Sequence, residues 1–335
     1  MTGPHPLRFE PILLEKVWGG RRLERWGKIL PPHVLVGESW EIADLASTDA
    51  SGAGGGERRS VVAAGPLTGR TLGEVVGLWG PVLLGRDRAR AGAFPLLVKL
   101  LDAREHLSVQ VHPSPEYAAA NPGAHLKTEA WYVLEAEPGA VIYKGLREGV
   151  TPDELRRRIE AGTLVDALVA VDAIPGELHN LPSGTLHALG AGVLVAEVQT
   201  PSDTTFRLYD WSAEYGRTGR SLHLEQALAC IDFGPAPGAV RLAEGEQTGR
   251  LLATEYFTID EARLPPGEEL IVGEDDRPSI LICIAGAGVV ASALLAFEDV
   301  SIRRGETLLL PAALGADVVA RAGAGGLSLL RAGLP

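Results

Sequence analysis

Cysteine is scarce in this 335-residue sequence, which contains only Cys230 and Cys283. Two cysteines so far apart lack the close spacing of a thiolate metal site, and they are too few for a disulfide framework. Residues 1–10 also lack the apolar segment of a secretory signal peptide. We therefore expect a cytoplasmic protein.

Positive charge is in deficit as well. The chain has 31 lysine and arginine residues against 43 aspartate and glutamate residues, a net charge of −12. This balance argues against nucleic acids and anionic membrane surfaces as the main partners, although it allows a locally basic pocket for a phosphorylated small molecule. Hydrophobic residues make up 46% of the chain, enough for sizeable cores in one large domain or two to three ordinary ones.

One long uncharged segment, Ser279 to Phe297, has the length of a membrane span. Its middle, however, is the turn-like sequence from Ala285 to Gly288. The flanking runs Ile280–Ile284 and Val289–Leu295 are rich in β-forming residues. We therefore predict a hairpin in a buried sheet rather than a transmembrane helix.

Short apolar runs separated by glycine- and proline-rich turns occur along most of the chain, which is typical of a β-barrel or sandwich. We expect strands at Gly37–Ile42, Phe94–Leu101, Leu107–Val111 and Thr128–Leu134, after an early strand followed by a turn at Trp18–Gly20. Helical patterns cover Leu72–Leu84, a segment capped by Ser114, a region from Thr151 to about Val171, and Glu225–Cys230. The segment Ser47–Gly65 is predicted to be a surface loop.

A weak internal repeat suggests two barrels. Gly176 and Pro182 have the same separation as Gly305 and Pro311. The first copy continues to a histidine, but no histidine occurs after His223. We predict a catalytic domain at 1–240 with a small helical insertion near 145–172, and a degenerate β domain at 245–335 that offers no histidine-based metal site.

The segment Leu107–Pro113 carries the strongest functional signal. Its residues alternate as in a strand, with Ser108, Gln110 and His112 on one face and apolar side chains on the other. A strand that is buried on both faces, one of them polar, is typical of a barrel that holds a ligand. We interpret the polar face as the beginning of a metal site.

Two further residues complete a candidate ligand set. Glu129 opens the next strand, and His187 follows a Pro–Ser–Gly turn that directs its side chain back into the barrel. Imidazole, carboxylate and amide groups suit zinc, and also manganese, iron or cobalt. Each residue alone is more often an ordinary hydrogen-bonded or surface residue, so the hypothesis rests on their combination.

These residues carry a family resemblance. The pattern Gly176-x5-Pro182-x-Gly184-x2-His187 resembles the second cupin motif, with Ala191 in place of its final asparagine. Together with the wider segments around it and around the candidate ligands, it resembles type I mannose-6-phosphate isomerases in their short bacterial form. These segments are Ser108–Pro113, Lys127–Trp131, Pro182–Ala188 and Glu197–Asp210. The similarity extends to Trp18–Gly20, Gly37–Ile42 and Pro95–Leu101, and it is strongest over 94–212 and weakest after 245.

The resemblance implies a mainly β fold of two cupin (jelly-roll) barrels with a small helical insertion. It also implies one zinc ion per chain, held by Gln110, His112, Glu129 and His187. It places the active-site arginine at Arg207, the lysine before the ligand glutamate at Lys127, a substrate-side serine at Ser108 and a pocket carboxylate at Glu197. Larger members carry tyrosine where this chain has Leu189, so a substrate contact from that position is not expected here.

The implied reaction interconverts mannose 6-phosphate and fructose 6-phosphate by proton transfer through a cis-enediol. It needs a Lewis acid and a base. Lys127 suits proton transfer or phosphate contact, unless it is solvated or paired with a glutamate. Arg207 suits a phosphate or enediolate oxygen, unless it pairs with Asp203 or Asp210. Glu197, between apolar neighbours, is as consistent with a buried structural role as with a catalytic one.

Two other functions compete with the isomerase. One is a non-catalytic cupin that binds a sugar phosphate as a sensor or regulator. The other is a cupin oxygenase, which Gln110 disfavours by filling a coordination position that such an iron site keeps open. The expected partner in the isomerase or sensor hypothesis is a sugar phosphate, without nucleic acid or membrane, in a monomer or homodimer.

Overall fold

The computed structural model describes residues 3–45, 57–88 and 92–335. Residues 47–56 of the loop predicted at Ser47–Gly65 therefore lie outside the described residues. Residues 57–65 include pairings with neighbouring segments. Arg58–Arg59 forms a short strand paired with Asp44–Leu45, and Val62 forms a bridge with Phe9.

Most regular elements are strands. The strands before residue 241 are β1 (Ile12–Gly20), β2 (Val36–Ile42), β3 (Asp44–Leu45), β4 (Arg58–Arg59), β5 (Leu97–Ala103), β6 (Val109–Val111), β7 (Glu129–Ala136), β8 (Val141–Leu146), β9 (Leu168–Asp172), β10 (Leu178–Leu181), β11 (His187–Leu189), β12 (Val193–Gln199), β13 (Phe206–Tyr209) and β14 (Ala239–Val240). Those after it are β15 (Thr248–Ala253), β16 (Thr258–Leu264), β17 (Glu269–Ile271), β18 (Ser279–Ser292), β19 (Val300–Arg303), β20 (Thr307–Leu310) and β21 (Val318–Gly333).

The helices are few and short. They are α1 (Leu72–Trp79), α2 (Pro81–Leu84), α3 (Pro115–Ala120), α4 (Pro152–Glu160) and α5 (Leu224–Cys230), with 3-10 segments at Arg22–Trp26, Leu164–Ala167 and Ala312–Asp317. The mainly β prediction is confirmed. No helix among the described residues is both long and apolar enough to cross a lipid bilayer.

Two sheets form the N-terminal barrel, and both are antiparallel. Among the described residues, one sheet has the strand order β1-β2-β5-β12-β7-β10-β14 and the other β13-β6-β11-β8-β9. The strand β12 lies at the centre of the first sheet, where Glu197 is in register with Lys99 of β5 and Trp131 of β7. Since neighbouring residues in register point to the same side, these three side chains meet inside the barrel.

The third sheet contains only strands from residues 248–333, built around the long strands β18 and β21. The predicted hairpin with a turn at Ala285–Gly288 is wrong, because this segment lies inside β18. The glycine-rich sequence Ala322–Gly326 likewise lies inside β21 instead of forming a turn. Bulges interrupt the β18–β21 pairing between Cys283 and Gly288, so the glycines bend two continuous strands.

Close backbone approach explains the glycines at this bend. Gly286 has φ 70°, and a Cβ on it would lie 2.1 Å from the carbonyl oxygen of Gly326. Trp18–Gly20 was also predicted as a turn, but it forms the end of strand β1. Here too a close approach explains the glycine. A Cβ on Gly20 would lie 2.5 Å from a carboxylate oxygen of Asp102.

Helix starts follow the predicted caps. The hydroxyls of Ser114 and Thr151 accept hydrogen bonds from the third helical N–H, at the starts of α3 and α4. The helical region predicted from Thr151 to about Val171 is shorter than expected. Helix α4 ends at Glu160 before Gly162, whose φ is 71°. After the 3-10 segment, the chain forms strand β9 against β8.

The two members of the weak repeat have similar local structure. Gly176 (φ 92°) precedes β10 and Gly305 (φ 85°) precedes β20, and each of these four-residue strands ends before a proline. After Pro182 the chain turns toward His187, whereas after Pro311 it enters a 3-10 segment.

The largest hydrophobic core is shared by both halves of the chain. It includes Leu7 and Phe94 from the N-terminal half and Leu309 and Leu330 from the C-terminal half. Leu7 also forms a β-bridge with Leu309. The division at residues 240–245 follows the sheet boundaries but not this core, and it stays a prediction.

Candidate metal centre and active site

The polar face of β6 lines a cavity, while its apolar face packs into the core. Val109 and Val111 are fully buried in a cluster that includes Phe206 and Leu208. Ser108 and Gln110 line a cavity of about 440 Å³, and the Ser108 hydroxyl donates a hydrogen bond to Gln110 Oε1 at 3.0 Å. The alternation predicted from the sequence therefore places this polar face toward an internal space.

Three predicted ligands meet beside this cavity. The strand β11 pairs with β6 through His187 and Gln110, which brings His187 next to the polar face. Glu129 Oε2 lies 3.3 Å from His112 Nε2, and Glu129 Oε1 lies 3.1 Å from His187 Nε2. The ligand atoms of these three residues all lie within 4.8 Å of one another, although they come from three separate parts of the chain.

The backbone orients both imidazole rings. His112 Nδ1 lies 2.9 Å from the Thr204 carbonyl oxygen, and His187 Nδ1 lies 2.8 Å from that of Thr185. Because a carbonyl can only accept, each Nδ1 carries the proton and each Nε2 presents a lone pair to the centre. This is the usual second-layer arrangement for histidine ligands.

The protonation states of His112 and Glu129 also favour the binding of a metal cation. Burial, reinforced by the Lys127 ammonium, lowers the pKa of His112 to about 3. Burial alone would raise the pKa of Glu129, but Lys127 and the neighbouring histidines outweigh it and hold that pKa well below its ordinary value. The centre thus presents a neutral imidazole and an ionised carboxylate near neutral pH, which is the donor set a divalent metal requires.

Gln110 is the fourth predicted ligand, and its amide lies at the edge of the centre. Its Nε2 is 3.4 Å from His187 Nε2, while its Oε1 faces Ser108. Rotating the amide by half a turn would exchange the two atoms and present the oxygen to a metal. Two imidazoles, one carboxylate and one amide oxygen then suit a divalent transition ion, with no thiolate to select among such ions.

Lys127 lies directly against the candidate ligands. Its Nζ is 2.7 Å from Glu129 Oε2 and 3.2 Å from His112 Nε2, and the residue is 4% exposed. The glutamate-paired alternative considered for this lysine is therefore what the structure contains. The same position leaves the ammonium at the border between the metal centre and the cavity.

Arg207 lines the cavity from β13. Its Nη1 donates to the Ser221 carbonyl at 3.0 Å, while its buried Nε finds no hydrogen-bond acceptor among the described residues. Burial, together with the nearby Arg220, lowers its pKa to about 10, so it stays a cation at neutral pH. Asp210 attracts it electrostatically, but no ion pair with it forms within the described ranges.

Glu197 is held between two partners. Its Oε1 lies 2.9 Å from Lys99 Nζ, and its Oε2 accepts a hydrogen bond from Trp131 Nε1 at 2.8 Å. Lys99 also donates to Gln199 at 2.7 Å. These contacts favour the structural role among the two considered for Glu197, although the residue also lines the cavity.

Sequence reasoning missed a charged network on the opposite cavity wall. Lys16 pairs with Glu38 at 2.9 Å, and Trp40 Nε1 donates to the other oxygen of Glu38 at 2.6 Å. Burial opposes ionisation of Glu38, but Lys16 and Lys99 lower its pKa to about 2. Two signals for this network were available in the sequence. Lys99 lies inside an apolar run and Glu38 lies inside a predicted strand, and charges that become buried need partners.

Leu189 does not line the cavity. It is fully buried in a separate cluster with Leu107, Trp131 and Ile142. The residue that replaces the family's tyrosine therefore contributes packing beneath the site.

Comparison with known proteins decides the family. Residues 13–143 match the family described as phosphomannose isomerase type I, catalytic domain. The mannose-6-phosphate isomerase ManA of Bacillus subtilis (strain 168) is 35% identical over 318 residues, covering 92% of this chain and 94% of that protein. The chain belongs to the type I phosphomannose isomerase family. The resemblance inferred from the motifs, and with it the expectation of an isomerase, is confirmed.

Solved structures of this family agree with the fold. The crystal structure of mannose 6-phosphate isomerase from Bacillus subtilis has a TM-score of 0.81 and 30% identity, covering 98% of this chain and 99% of that chain. The predicted cupin fold is thereby confirmed. A structure of mannose 6-phosphate isomerase bound with zinc and yttrium has a TM-score of 0.70 and 18% identity, covering 98% of both chains. At that identity it supports the fold alone.

Proposed function

We propose that this chain interconverts mannose 6-phosphate and fructose 6-phosphate by a metal-dependent proton transfer through a cis-enediol. The observation that carries the proposal is the meeting of His112, Glu129 and His187 within 4.8 Å beside a cavity whose lining includes Arg58, Arg207 and Arg220. The relatives described above are named isomerases, so the competing sensor and oxygenase hypotheses gain no support.

Gln110, His112, Glu129 and His187 would hold the metal. When bound, it supplies a Lewis acid that stabilises negative charge on the substrate oxygens at C1 and C2. We favour zinc because the donor set is rich in imidazole and because a protein of the same fold is described as zinc-bound.

The chain's own residues would supply the remaining steps. Lys127 lies at the border of metal centre and cavity, where Nζ can hold or move the proton exchanged between C2 and C1. Ser108 would contact a substrate hydroxyl from the same wall. Arg207 would bind the phosphate, using its unpartnered Nε. Glu197 would fix Lys99 and Trp131 in the wall and thereby shape the cavity.

The test is a coupled assay that detects fructose 6-phosphate formed from mannose 6-phosphate, with and without a chelator. We expect turnover that the chelator abolishes and that added zinc restores. Turnover unaffected by complete metal removal would refute the metal dependence. A metal-loaded protein that binds mannose 6-phosphate without converting it would instead support the sensor. A free sugar phosphate as substrate and two buried free thiols, Cys230 and Cys283, fit a cytoplasmic protein.

A further inference from the structure

A second arginine faces the cavity beside Arg207. The loop between β13 and α5 carries Arg217 and Arg220, and of these two only Arg220 lines the cavity. Arg217 lies over the ring of Tyr215 and 3.4 Å from Glu105, and its Nη2 donates to the Asp210 backbone carbonyl at 3.1 Å. The sequence pattern does not distinguish Arg217 from Arg220, so the structure alone shows which of them lines the cavity.

Asp210 fixes the loop that carries Arg220. Its Oδ1 accepts a hydrogen bond from the Ser212 N–H at 3.1 Å, and its Oδ2 accepts one from the Arg220 N–H at 2.7 Å. The same Oδ2 is 3.6 Å from Arg220 Nε, too far for a hydrogen bond. Asp210 therefore holds the Arg220 backbone and forms an ion pair with its guanidinium, while Nε and Nη2 of Arg220 make no hydrogen bond within the described ranges.

Two of the three arginines that line the cavity, Arg207 and Arg220, have buried donors without a hydrogen-bond acceptor among the described residues. Arg207 Nε and both Nε and Nη2 of Arg220 are buried, and no acceptor for them occurs in the part of the chain that is described. Buried donors of charged groups are costly to leave unpaired. Burial lowers the pKa of both arginines, and Arg220 further lowers that of Arg207. An anion with several acceptor oxygens would accept hydrogen bonds from these donors and would also offset the repulsion between the two guanidiniums.

We propose that Arg220 is a second phosphate-binding residue, which grips the substrate's phosphate monoester together with Arg207, and that Asp210 is its positioning residue. This inference rests on the proposed function. A phosphate dianion suits the site better than a sugar hydroxyl, because two guanidiniums offer forked donors that match several phosphate oxygens. The wall opposite carries charges already paired with each other, Lys16 with Glu38 and Lys99 with Glu197.

The test compares Arg220→Gln and Arg220→Lys with the matched control Arg217→Gln. Steady-state kinetics with mannose 6-phosphate and calorimetric titration with inorganic phosphate are measured on the metal-loaded protein. Losing one charge-assisted donor pair should raise KM and the phosphate Kd by about 10- to 100-fold in Arg220→Gln, with kcat within about threefold. Arg220→Lys should recover part of both, and Arg217→Gln, which removes a hydrogen bond to the Asp210 carbonyl but no donor that lines the cavity, should change both far less than Arg220→Gln does.

Asp210→Asn tests the positioning role. It should raise KM less than Arg220→Gln does, and combining both changes should add little to Arg220→Gln alone. An additive double variant would overturn that role. Equal KM and phosphate affinity in Arg220→Gln and the parent protein, or an equal loss in Arg217→Gln, would overturn the phosphate role. The titration decides this even if the parent protein fails to convert mannose 6-phosphate, an outcome that would refute the proposed function instead.

Discussion

The contact between Lys99 and Glu197 allows a decisive test of whether Glu197 is structural or catalytic. Glu197→Gln keeps the shape and an acceptor for Trp131 Nε1 but removes the negative charge 2.9 Å from Lys99. Both residues are at most 5% exposed, so Lys99 would be left as a buried cation with a lost partner. Breaking such a pair costs about 3–5 kcal/mol.

The lower end of that range is expected here. Lys99 keeps its hydrogen bond to Gln199 at 2.7 Å, and Glu38 still attracts it. We therefore expect Glu197→Gln to lower the free energy of unfolding by about 3 kcal/mol. In Lys99→Met/Glu197→Gln no buried cation is left, so the double variant should be about 2 kcal/mol more stable than the two single losses predict together.

Urea unfolding followed by tryptophan fluorescence measures the stabilities, and the coupled assay measures turnover of each folded variant. A structural Glu197 should lower kcat by about tenfold at most, whereas a general acid or base contributes about 100- to 10,000-fold. An unfolding free energy within about 0.5 kcal/mol of the parent, combined with a large loss of kcat, would refute the structural assignment.

Three further predictions concern the rest of the site. His187→Ala should lose metal binding and activity while staying folded, as measured by metal analysis and circular dichroism; an active, metal-loaded variant would remove His187 from the ligand set. Arg207→Ala should retain the metal but lose most turnover, and unchanged kinetics would exclude it from the site. Glu38→Gln should be about 3 kcal/mol less stable than the parent protein at pH 7, because the folded-state pKa is about 2 against an ordinary 4.5. A depressed folded-state pKa gives its full stabilisation only above the ordinary value of 4.5, so in urea unfolding this difference should shrink below pH 4.5 and become small near pH 2. A constant difference would contradict the reasoning.

Local patterns in the sequence predicted several elements well. The alternation from Ser108 to His112 requires a polar and an apolar face, because successive strand residues point to opposite sides. The caps at Ser114 and Thr151 depend only on residues one turn away. Glycine-rich segments were less informative, since glycine permits both a turn and a bulge in a continuous strand. The pairing of β18 with β21 selects the bulge, and that pairing joins residues far apart in sequence.

The sequence by itself determined the family, the barrel type and the chemical character of the candidate ligands, because motifs record residue types in a fixed order. Only the tertiary structure decided which charges share the cavity. Lys99 with Glu197, Lys16 with Glu38, and Arg207 with Arg220 are each contributed by separate segments, and a charge's effect depends on distance and burial rather than on position along the chain. The same dependence separates Arg220, which faces the cavity, from Arg217 three residues earlier, which does not.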